Sequence, residues 1–274
     1  MAIDAKAKVF AVIGDPVEHS LSPTMHNAAF SQLGINAVYV ALHVTPANLA
    51  AAIAGFKAAG IAGLNVTIPH KAAVISLVDE LDGSAKSVGA VNTIINREGK
   101  LVGYNTDVYG FAHALTRLVG NTKGMKVVIL GAGGASHAVV QAFDGSNEIV
   151  ILNRSVENAQ KIVDIAKAGK ATALALNEQN IKESLKNADL LVNATPLGLH
   201  GENPVPDGLL RKDLAVFDLT YERKKPTQLV EAARKVGAKA ADGKELLLYQ
   251  GVKAFELFTG KPAPIEVMRR AIEE

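Results

Sequence analysis

The sequence predicts an α/β protein of two domains with mostly parallel β-sheets. The chain has 274 residues, a length that suits one large domain or two ordinary ones. Short β-rich runs alternate with longer alanine-rich helical runs from one end to the other, which is the pattern of α/β layers. Hydrophobic residues make up 49% and charged residues 20% of the chain, so a buried core is expected and a disordered or fibrous chain is not.

Composition and charge narrow the class of function. Lysines and arginines are spread along the sequence and the net charge is only +2, so neither nucleic acid nor a membrane surface is an expected partner. The chain has no cysteine, which excludes disulfides and thiolate metal sites and fits a reducing compartment. The apolar run near the N-terminus soon meets Asp15 and Pro16, and no stretch is long enough to cross a bilayer. We therefore expect a cytoplasmic protein, as a monomer or homodimer, with a small-molecule substrate.

In the first part of the chain, strand-forming runs alternate with helices whose start and end residues are recognisable. Ser22 offers an N-cap, Pro23 follows at the first helical position, and Gly34 ends the helix. The next helix carries the same signals. The sequence predicts strands at Val9–Gly14, Ala37–Val44 and Ile61–Thr67, followed by a β-hairpin that turns at Glu98-Gly99.

The second part of the chain begins at a polar, turn-rich link at residues 121–124. A buried strand then runs through glycines into a helix, and a last helix is predicted to start after Pro264. Further strands are predicted at Glu148–Ser155 and in the runs ADLLVNATP and LAVFDLTY. We expect one domain at 1–107, a second at 108–242, and C-terminal helices at 243–274 that return to the first domain.

A glycine-rich loop lies between the strand and the helix that open the second domain. Glycines at such a place allow a tight turn, and they let backbone amides approach a pyrophosphate at the positive end of the helix dipole. A βαβ unit surrounds the loop, which favours a Rossmann-type dinucleotide site over a tight turn without a ligand. Its residues are Gly131, Ala132, Gly133, Gly134 and Ala135, with Ser136 in place of the third glycine.

The residue at the end of the next strand indicates which dinucleotide binds. NAD enzymes usually carry a carboxylate there, whereas this chain has Asn153, Arg154 and Ser155. A guanidinium can hold a 2′-phosphate with forked, charge-assisted hydrogen bonds, whereas a carboxylate would repel the phosphate. NADP is therefore the predicted cofactor, and a solvated surface arginine is the alternative.

Two segments of the first domain carry candidate chemistry. Ser20 and Ser22 place hydroxyls just ahead of a helix, where they could bind a carboxylate or simply cap the helix. Pro69 should start another helix and place Lys71 in its first turn. The dipole disfavours an ammonium there, so such a lysine points into solvent or gives up its proton more easily, which suits acid–base chemistry. The spacing of the seven histidines does not suggest a metal site.

The sequence as a whole resembles the shikimate dehydrogenase family. Eight separated motifs carry the resemblance, occur in the family's order and span Ser20 to Gly260. They are SLSPTMHN, NVTIPHK, GAVNTI, GYNTDVYGF, GAGGAS, NRS, NATPLG and DGKELLLYQGVKAFELFTG.

The resemblance implies roles for individual residues. Lys71 matches the family's catalytic lysine and Asp107 its partner, although Asp107 could also be the N-cap of the helix that follows. The implied substrate-binding residues are Ser20, Ser22, Asn65, Thr67, Asn92, Tyr221 and Gln250. The implied cofactor residues are Gly131 to Ala135, Asn153, Arg154, Ser155, Thr195 and Gly243.

The implied reaction is the NADP-dependent interconversion of shikimate and 3-dehydroshikimate, with proton transfer by Lys71. Many NADP-dependent members have a second basic residue soon after the arginine, whereas this chain continues with Val156, Glu157 and Asn158. Binding of the 2′-phosphate is therefore expected to depend on Arg154 alone. A quinate or dual quinate/shikimate dehydrogenase that uses NAD is the nearest alternative. A catalytically silent NADP-binding regulatory module and a folate-type dehydrogenase are less favoured.

Overall fold

The computed structural model describes residues 3–198 and 203–273. The chain divides into two compact units: unit 1 holds residues up to Gly110 and from Leu247 onward, and unit 2 is Phe111–Leu246. Both divisions fall inside helices, Asp107–Val119 and Gly243–Thr259. The boundaries expected from the sequence lie at the beginning of these helices. Capping residues, prolines and glycines indicate where a helix starts, and they do not indicate where a compact unit ends.

Unit 1 contains a six-stranded mixed sheet with the order β2-β1-β3-β5-β6-β4. Strand β1 pairs in parallel with β2 and β3, whereas β5 is antiparallel to both β3 and β6. Glu98 and Gly99 turn the β5–β6 hairpin with φ angles of 53° and 90°, as a two-residue turn of this twist requires, and the predicted hairpin is confirmed. The strands are β1 Lys8–Gly14, β2 Ala37–His43, β3 Gly63–Val66, β4 Glu80–Leu81, β5 Thr93–Arg97 and β6 Lys100–Tyr104.

Unit 2 contains a six-stranded, fully parallel sheet with the order β12-β11-β10-β7-β8-β9. This is the doubly wound Rossmann order, whose direction reverses between β7 and β10, so ligands are expected at the carboxyl ends of those strands. Strands β9 and β12 were not predicted, because one is half-buried at the edge and the other has two residues. The strands are β7 Lys126–Leu130, β8 Glu148–Asn153, β9 Lys170–Ala175, β10 Leu190–Asn193, β11 Ala215–Asp218 and β12 Ala240–Ala241.

The described residues form ten α-helices, of which the last two follow the final strand β12. The last of them begins at Ile265, directly after Pro264 as expected, and packs against the first helix in unit 1. The C-terminal helices thus return to the first unit. The helices are α1 Ser22–Gln32, α2 Leu49–Ala58, α3 Gly83–Val88, α4 Asp107–Val119, α5 Gly134–Gln141, α6 Val156–Val163, α7 Glu178–Leu185, α8 Gln228–Lys235, α9 Gly243–Thr259 and α10 Ile265–Glu273.

Two predicted helix starts are wrong. Leu21, not Ser22, is the N-cap of α1, and no side chain caps that helix. No α-helix begins at Pro69; residues 68–72 form turns, and a short 3₁₀ helix follows at Ala73–Leu77. The carbonyl of Lys71 accepts a hydrogen bond from Val91 N at 2.8 Å, so a contact distant in sequence takes the acceptor that a helix would have used.

Candidate active site

Lys71 and Asp107 form a short ion pair in unit 1. Lys71 Nζ lies 2.6 Å from Asp107 Oδ2, and the two side chains are 28% and 13% exposed. Asn92 Nδ2 donates to the other carboxylate oxygen, Asp107 Oδ1, at 2.8 Å. Asp107 is the first residue of α4, and its own amide donates to Asn105 Oδ1 at 3.0 Å. One carboxylate oxygen is thus held by Asn92 while the other holds the ammonium of Lys71. This arrangement orients Nζ, and the lysine side chain stays partly exposed to solvent.

Lys71 does not lie in the first turn of a helix, which was the feature that drew attention to it in the sequence. The helix whose dipole would act on its ammonium is absent, because residues 68–72 form turns. The neighbouring His70 side chain is buried, and its Nε2 lies 2.6 Å from the carbonyl oxygen of Val44, which anchors this segment. Asp107 is therefore the countercharge that pairs with Lys71 in the described structure.

Buried polar side chains continue from Asp107 into the sheet. Asn92 Oδ1 accepts from Thr106 N at 2.8 Å and from Thr93 Oγ1 at 3.0 Å. Asn65 Nδ2 donates to Thr93 Oγ1 at 2.9 Å, and Tyr39 OH donates to Asn65 Oδ1 at 2.7 Å. Satisfied networks of this kind fix side-chain orientation in a low-dielectric interior.

Three members of this network were not found from the sequence, namely Tyr39, Thr93 and Thr106. Tyr39 is buried in the middle of β2, and burial raises its pKa well above the usual value, although a hydrogen bond with Ser22 opposes the shift. A tyrosine in an apolar strand is typical of a buried core. Its hydroxyl indicates a functional site only when its partner, Asn65, is known. Thr93 and Thr106 did have a signal, since both lie inside the motifs GAVNTI and GYNTDVYGF.

The remaining substrate candidates of unit 1 are less tied to this network. Ser20 Oγ accepts from Ser22 N at 3.3 Å, and Ser22 is buried. Thr67 is half-buried directly after β3, and its backbone amide donates to Ile13 O at 2.9 Å. Gln250 Nε2 donates to Leu247 O of its own helix at 2.8 Å. The structure thus links Asn65 to Asn92, since Asn65 Nδ2 donates to Asn92 O at 3.1 Å. Among the described residues, the side chains of Thr67 and Gln250 do not join this network.

His26 is fully buried beside the substrate candidates. Its ring stacks on Tyr39 with centroids 4.4 Å apart and an interplanar angle of 6°. Neither ring nitrogen has a hydrogen-bond partner among the described residues. Burial lowers the pKa of His26 to about 3, so the imidazole is neutral at physiological pH.

The glycine loop of unit 2 lies at the carboxyl end of β7. Gly131 has φ +98°, and an added Cβ would lie 2.9 Å from both Ala194 O and Thr195 Cγ2, so only glycine fits. Gly133 and Gly134 are exposed, and an added Cβ there would meet nothing within 4 Å. Ser136 is buried, and its Oγ donates to Gly131 O at 2.9 Å, which closes the turn from within. The loop therefore presents accessible backbone at the start of α5.

Residues 153–155 follow β8 at the same edge of the sheet. Asn153 Nδ2 donates to Ser155 O at 2.9 Å, and Ser155 Oγ accepts from Asn158 N at 3.3 Å as the N-cap of α6. Arg154 is exposed, and no carboxylate of the described residues forms an ion pair with it. Its guanidinium is thus available to an anion.

The last three candidates, Thr195, Tyr221 and Gly243, lie in unit 2 after β10, β11 and β12. Thr195 Oγ1 donates to Asn193 Oδ1 at 2.7 Å. Gly243 packs directly on Leu219 O, where no Cβ would fit. Tyr221 is largely buried beside Gly243, and this burial raises its pKa. Thr195 and Gly243 therefore border the carboxyl edge of the sheet, as a cofactor site requires.

Two further features bear on the class of protein. Within residues 3–198 and 203–273, no three His, Asp or Glu side chains are grouped so that they could hold a metal ion. No helix in the same ranges is long and apolar enough to cross a membrane. The doubly wound sheet with its exposed glycine loop, together with a unit that holds a bonded lysine–aspartate pair, defines the class of dinucleotide-dependent oxidoreductases.

Comparisons with known proteins identify the family. Residues 12–94 match the model of the shikimate dehydrogenase substrate binding domain, 113–203 that of shikimate / quinate 5-dehydrogenase, and 243–273 that of the shikimate 5'-dehydrogenase C-terminal domain. A shikimate dehydrogenase (NADP(+)) of Methanopyrus kandleri is 48% identical over 100% of this chain and 98% of the relative. One of Thermococcus kodakarensis is 46% identical over 99% and 98%. A crystal structure of a shikimate dehydrogenase in complex with NADP+ superposes with a TM-score of 0.89 at 42% identity, covering 99% of this chain and 96% of the other. This chain belongs to the shikimate dehydrogenase family.

Proposed function

We propose that this protein is an NADP-dependent shikimate dehydrogenase that reversibly reduces 3-dehydroshikimate to shikimate. The observation that carries the proposal is the Lys71–Asp107 pair, 2.6 Å between Nζ and Oδ2, with Asn92 bonded to the other carboxylate oxygen. The chain that holds this pair is 48% identical, along its whole length, to a protein of the same named activity. A purely structural ion pair has no need of a partly exposed ammonium whose carboxylate partner is held in place by a buried amide.

The residues at the sheet edge of unit 2 fit an NADP molecule. Accessible backbone at Gly133 and Gly134 suits a pyrophosphate at the beginning of α5. The exposed Arg154 guanidinium suits the 2′-phosphate, because planar forked donors match phosphate oxygens. Gly131, Ala132, Ala135, Asn153, Ser155, Thr195 and Gly243 complete the proposed cofactor site.

Lys71 performs the proton transfer in this proposal. NADP, when bound, supplies the hydride chemistry at C3 of the ring. As the C3 carbonyl becomes a hydroxyl, Lys71 Nζ gives its proton to that oxygen; in the reverse direction Nζ takes it back. Asp107 Oδ2 holds the ammonium in place and balances its charge, and Asn92 keeps the carboxylate from turning away.

Other polar side chains bind the substrate in this proposal. The hydroxyls of Ser20 and Ser22 take the carboxylate, and Asn65, Thr67 and Asn92 take the ring hydroxyls. Asn65 and Asn92 suit this role because buried partners fix the orientation of their amides. Gln250 and Tyr221 are further proposed contacts.

A quinate or dual quinate/shikimate dehydrogenase that uses NAD is the second candidate, because one matching family model covers both activities. The exposed Arg154, in place of a carboxylate after β8, favours NADP over NAD. A silent NADP-binding regulatory module is disfavoured, since a sensor would not need the Lys71–Asp107 pair.

Initial rates with shikimate and quinate, each with NADP and NAD, test the proposal. We expect shikimate with NADP to give the highest kcat/KM of the four combinations. A highest value with quinate and NAD would establish the second candidate, and no turnover in any combination would establish the silent module.

We also propose that the enzyme works in the cytoplasm as a monomer or homodimer. The cysteine-free sequence supports a reducing compartment. Sedimentation velocity would measure the assembly, and a trimer or larger would contradict this part of the proposal.

A further inference from the structure

Asp218 is a fully buried carboxylate at the end of β11, and only neutral groups hold it. Its Oδ1 accepts from Asn193 Nδ2 at 2.9 Å, from Thr220 N at 3.1 Å and from Thr220 Oγ1 at 2.9 Å. Its Oδ2 accepts from Thr227 Oγ1 at 2.7 Å. No lysine, arginine or histidine of the described residues pairs with it. Burial of a charge without a countercharge is costly, so the position calls for an explanation beyond packing.

The carboxylate determines how the Asn193 side chain is turned. A carboxylate only accepts hydrogen bonds, so Asn193 must present its NH₂ to Asp218 and its carbonyl to the other side. That carbonyl, Oδ1, accepts from Thr195 N at 3.1 Å and from Thr195 Oγ1 at 2.7 Å. The NH₂ group also donates to Leu197 O at 2.9 Å. Asp218 thereby sets the conformation of residues 195–197 through Asn193.

A second branch leads from Asp218 to the beginning of α9. Thr220 bonds to Asp218 through its amide and its hydroxyl, so its peptide is fixed. The carbonyl of Thr220 accepts from Gly243 N at 2.9 Å. Gly243 also packs on Leu219 O, and an added Cβ would lie 3.1 Å from the Tyr221 ring. The place where α9 begins therefore depends on the same buried carboxylate.

The two branches end at the half of the sheet edge that the glycine loop does not serve. A doubly wound sheet binds a dinucleotide across its switch point, one mononucleotide to each half. The glycine loop after β7 and Arg154 after β8 serve the adenosine half. The ends of β10 and β11, with Thr195 and Gly243 close by, are then left for the nicotinamide half.

We propose that Asp218 is a positioning residue for the nicotinamide half of the cofactor. It acts through Asn193 on Thr195 and through Thr220 on Gly243, and it does not itself touch the cofactor. This inference rests on the proposed function, because it takes NADP as the ligand of unit 2.

Asp218→Asn keeps the shape of the side chain and tests the proposal. The new amide keeps one accepting oxygen for Asn193 Nδ2 and Thr220 N, but it loses the negative charge that strengthens these hydrogen bonds. Its NH₂ group takes the place of Oδ2, so the Thr227 hydroxyl must turn from donor to acceptor. NADP and 2′,5′-ADP, which has only the adenosine half, would be titrated by calorimetry well below the unfolding temperature. The Kd for NADP should rise about tenfold or more, while that for 2′,5′-ADP changes less than about twofold.

Two further variants serve as a control and as an independent test. Asp189→Asn is the matched control, since Asp189 is exposed ahead of β10 and accepts from Lys126 N at 2.7 Å; NADP affinity should stay unchanged. Asn193→Ala leaves Asp218 in place but cuts its link to Thr195, and it should weaken NADP without weakening 2′,5′-ADP.

Each outcome separates this inference from the proposed function. A wild-type protein that binds no NADP would contradict the proposed function itself. If the wild type binds NADP, unchanged NADP affinity in folded Asp218→Asn would overturn the positioning role. Equal weakening of NADP and 2′,5′-ADP, or loss of folding in both Asp218→Asn and Asn193→Ala, would also overturn it by assigning the network to the stability of unit 2 alone.

Discussion

In unit 1 the side chains of Lys71, Asp107 and Asn92 bond to one another, whereas the proposed cofactor-binding residues of unit 2 are exposed or bond mainly within their own loops. Lys71 and Asp107 are joined at 2.6 Å, and buried amides and hydroxyls continue the chain of contacts into the sheet. Arg154 and the glycine loop at Gly133 stand in solvent, while the buried Asp218 lies beneath the neighbouring strand ends.

The contrast corresponds to two kinds of work. Proton transfer requires groups held in a fixed geometry before the reaction, and a network of mutual hydrogen bonds provides this. A dinucleotide supplies many contacts of its own, so its site needs accessible amides and an unpaired cation more than prior contacts between side chains. Substitutions in unit 1 should therefore change turnover, and substitutions in unit 2 should change cofactor affinity.

The largest effect is expected from Lys71→Ala. Loss of the proton-transfer group should lower kcat roughly a hundredfold or more, while shikimate affinity falls much less. Lys57→Ala is the matched control, because Lys57 pairs with Asp79 at 2.8 Å on the surface of the same unit and should leave kcat unchanged. Steady-state rates at saturating NADP measure both variants. Asp107→Asn should also slow turnover and shift the pH–rate profile, and a Lys71→Ala enzyme with near-normal kcat would end the assignment.

Arg154→Ala should produce the opposite kinetic pattern. Loss of a charge-assisted clamp should raise the KM for NADP roughly ten- to a hundredfold, with kcat retained and the KM for NAD barely changed. Arg234→Ala, an exposed arginine of the same unit, is the control. Equal weakening of both cofactors, or of neither, would show that Arg154 does not read the 2′-phosphate.

The double variant Ser20→Ala, Ser22→Ala should weaken shikimate binding and spare NADP. The expected loss is about one to three kcal/mol of binding free energy. Since Leu21 is the N-cap of α1 and no side chain caps the helix, the free energy of unfolding should fall only slightly. Ser31→Ala, at an exposed position of the same helix, is the control. Calorimetric titration with normal shikimate binding in the double variant would refute the carboxylate site.

A separate expectation concerns the stability of unit 1 against pH. His26 has a pKa of about 3 in the fold, against 6.5 for the free side chain, so below pH 6.5 the unfolded chain binds a proton that the folded chain does not. The free energy of unfolding should therefore fall as pH drops from 6.5 towards 3, by at most about 1.4 kcal/mol per pH unit from this group.

Denaturant titrations between pH 7 and 4 measure this slope. His26→Leu should flatten it, whereas His19→Gln at an exposed position should leave it as in the wild type. The same slope in His26→Leu and wild type would show that His26 does not contribute.

Local signals in the sequence predicted the elements whose structure is decided locally. Glu98-Gly99 predicted the hairpin because two adjacent residues with positive φ make that turn, and Pro264 predicted the beginning of α10. The parallel sheet of unit 2 followed from the alternation of strands and helices.

Features that depend on distant contacts were beyond the sequence. Lys71 lies in a turn because Val91, far along the chain, takes its carbonyl. Tyr39 and Asp218 are indistinguishable from ordinary strand residues until Asn65 and Asn193 are known to contact them. The residues of the ion pair were found through a family resemblance, and the network that orients them was found only in the structure.

Hydride transfer between NADPH and C3 of the substrate ring can be followed with a labelled cofactor. The purified protein would be given 3-dehydroshikimate and NADPH deuterated at both C4 positions of the nicotinamide, and the product would be examined by mass spectrometry and proton NMR. We expect shikimate that is one mass unit heavier, with the deuterium at C3. Unlabelled shikimate, or no shikimate at all, would contradict it.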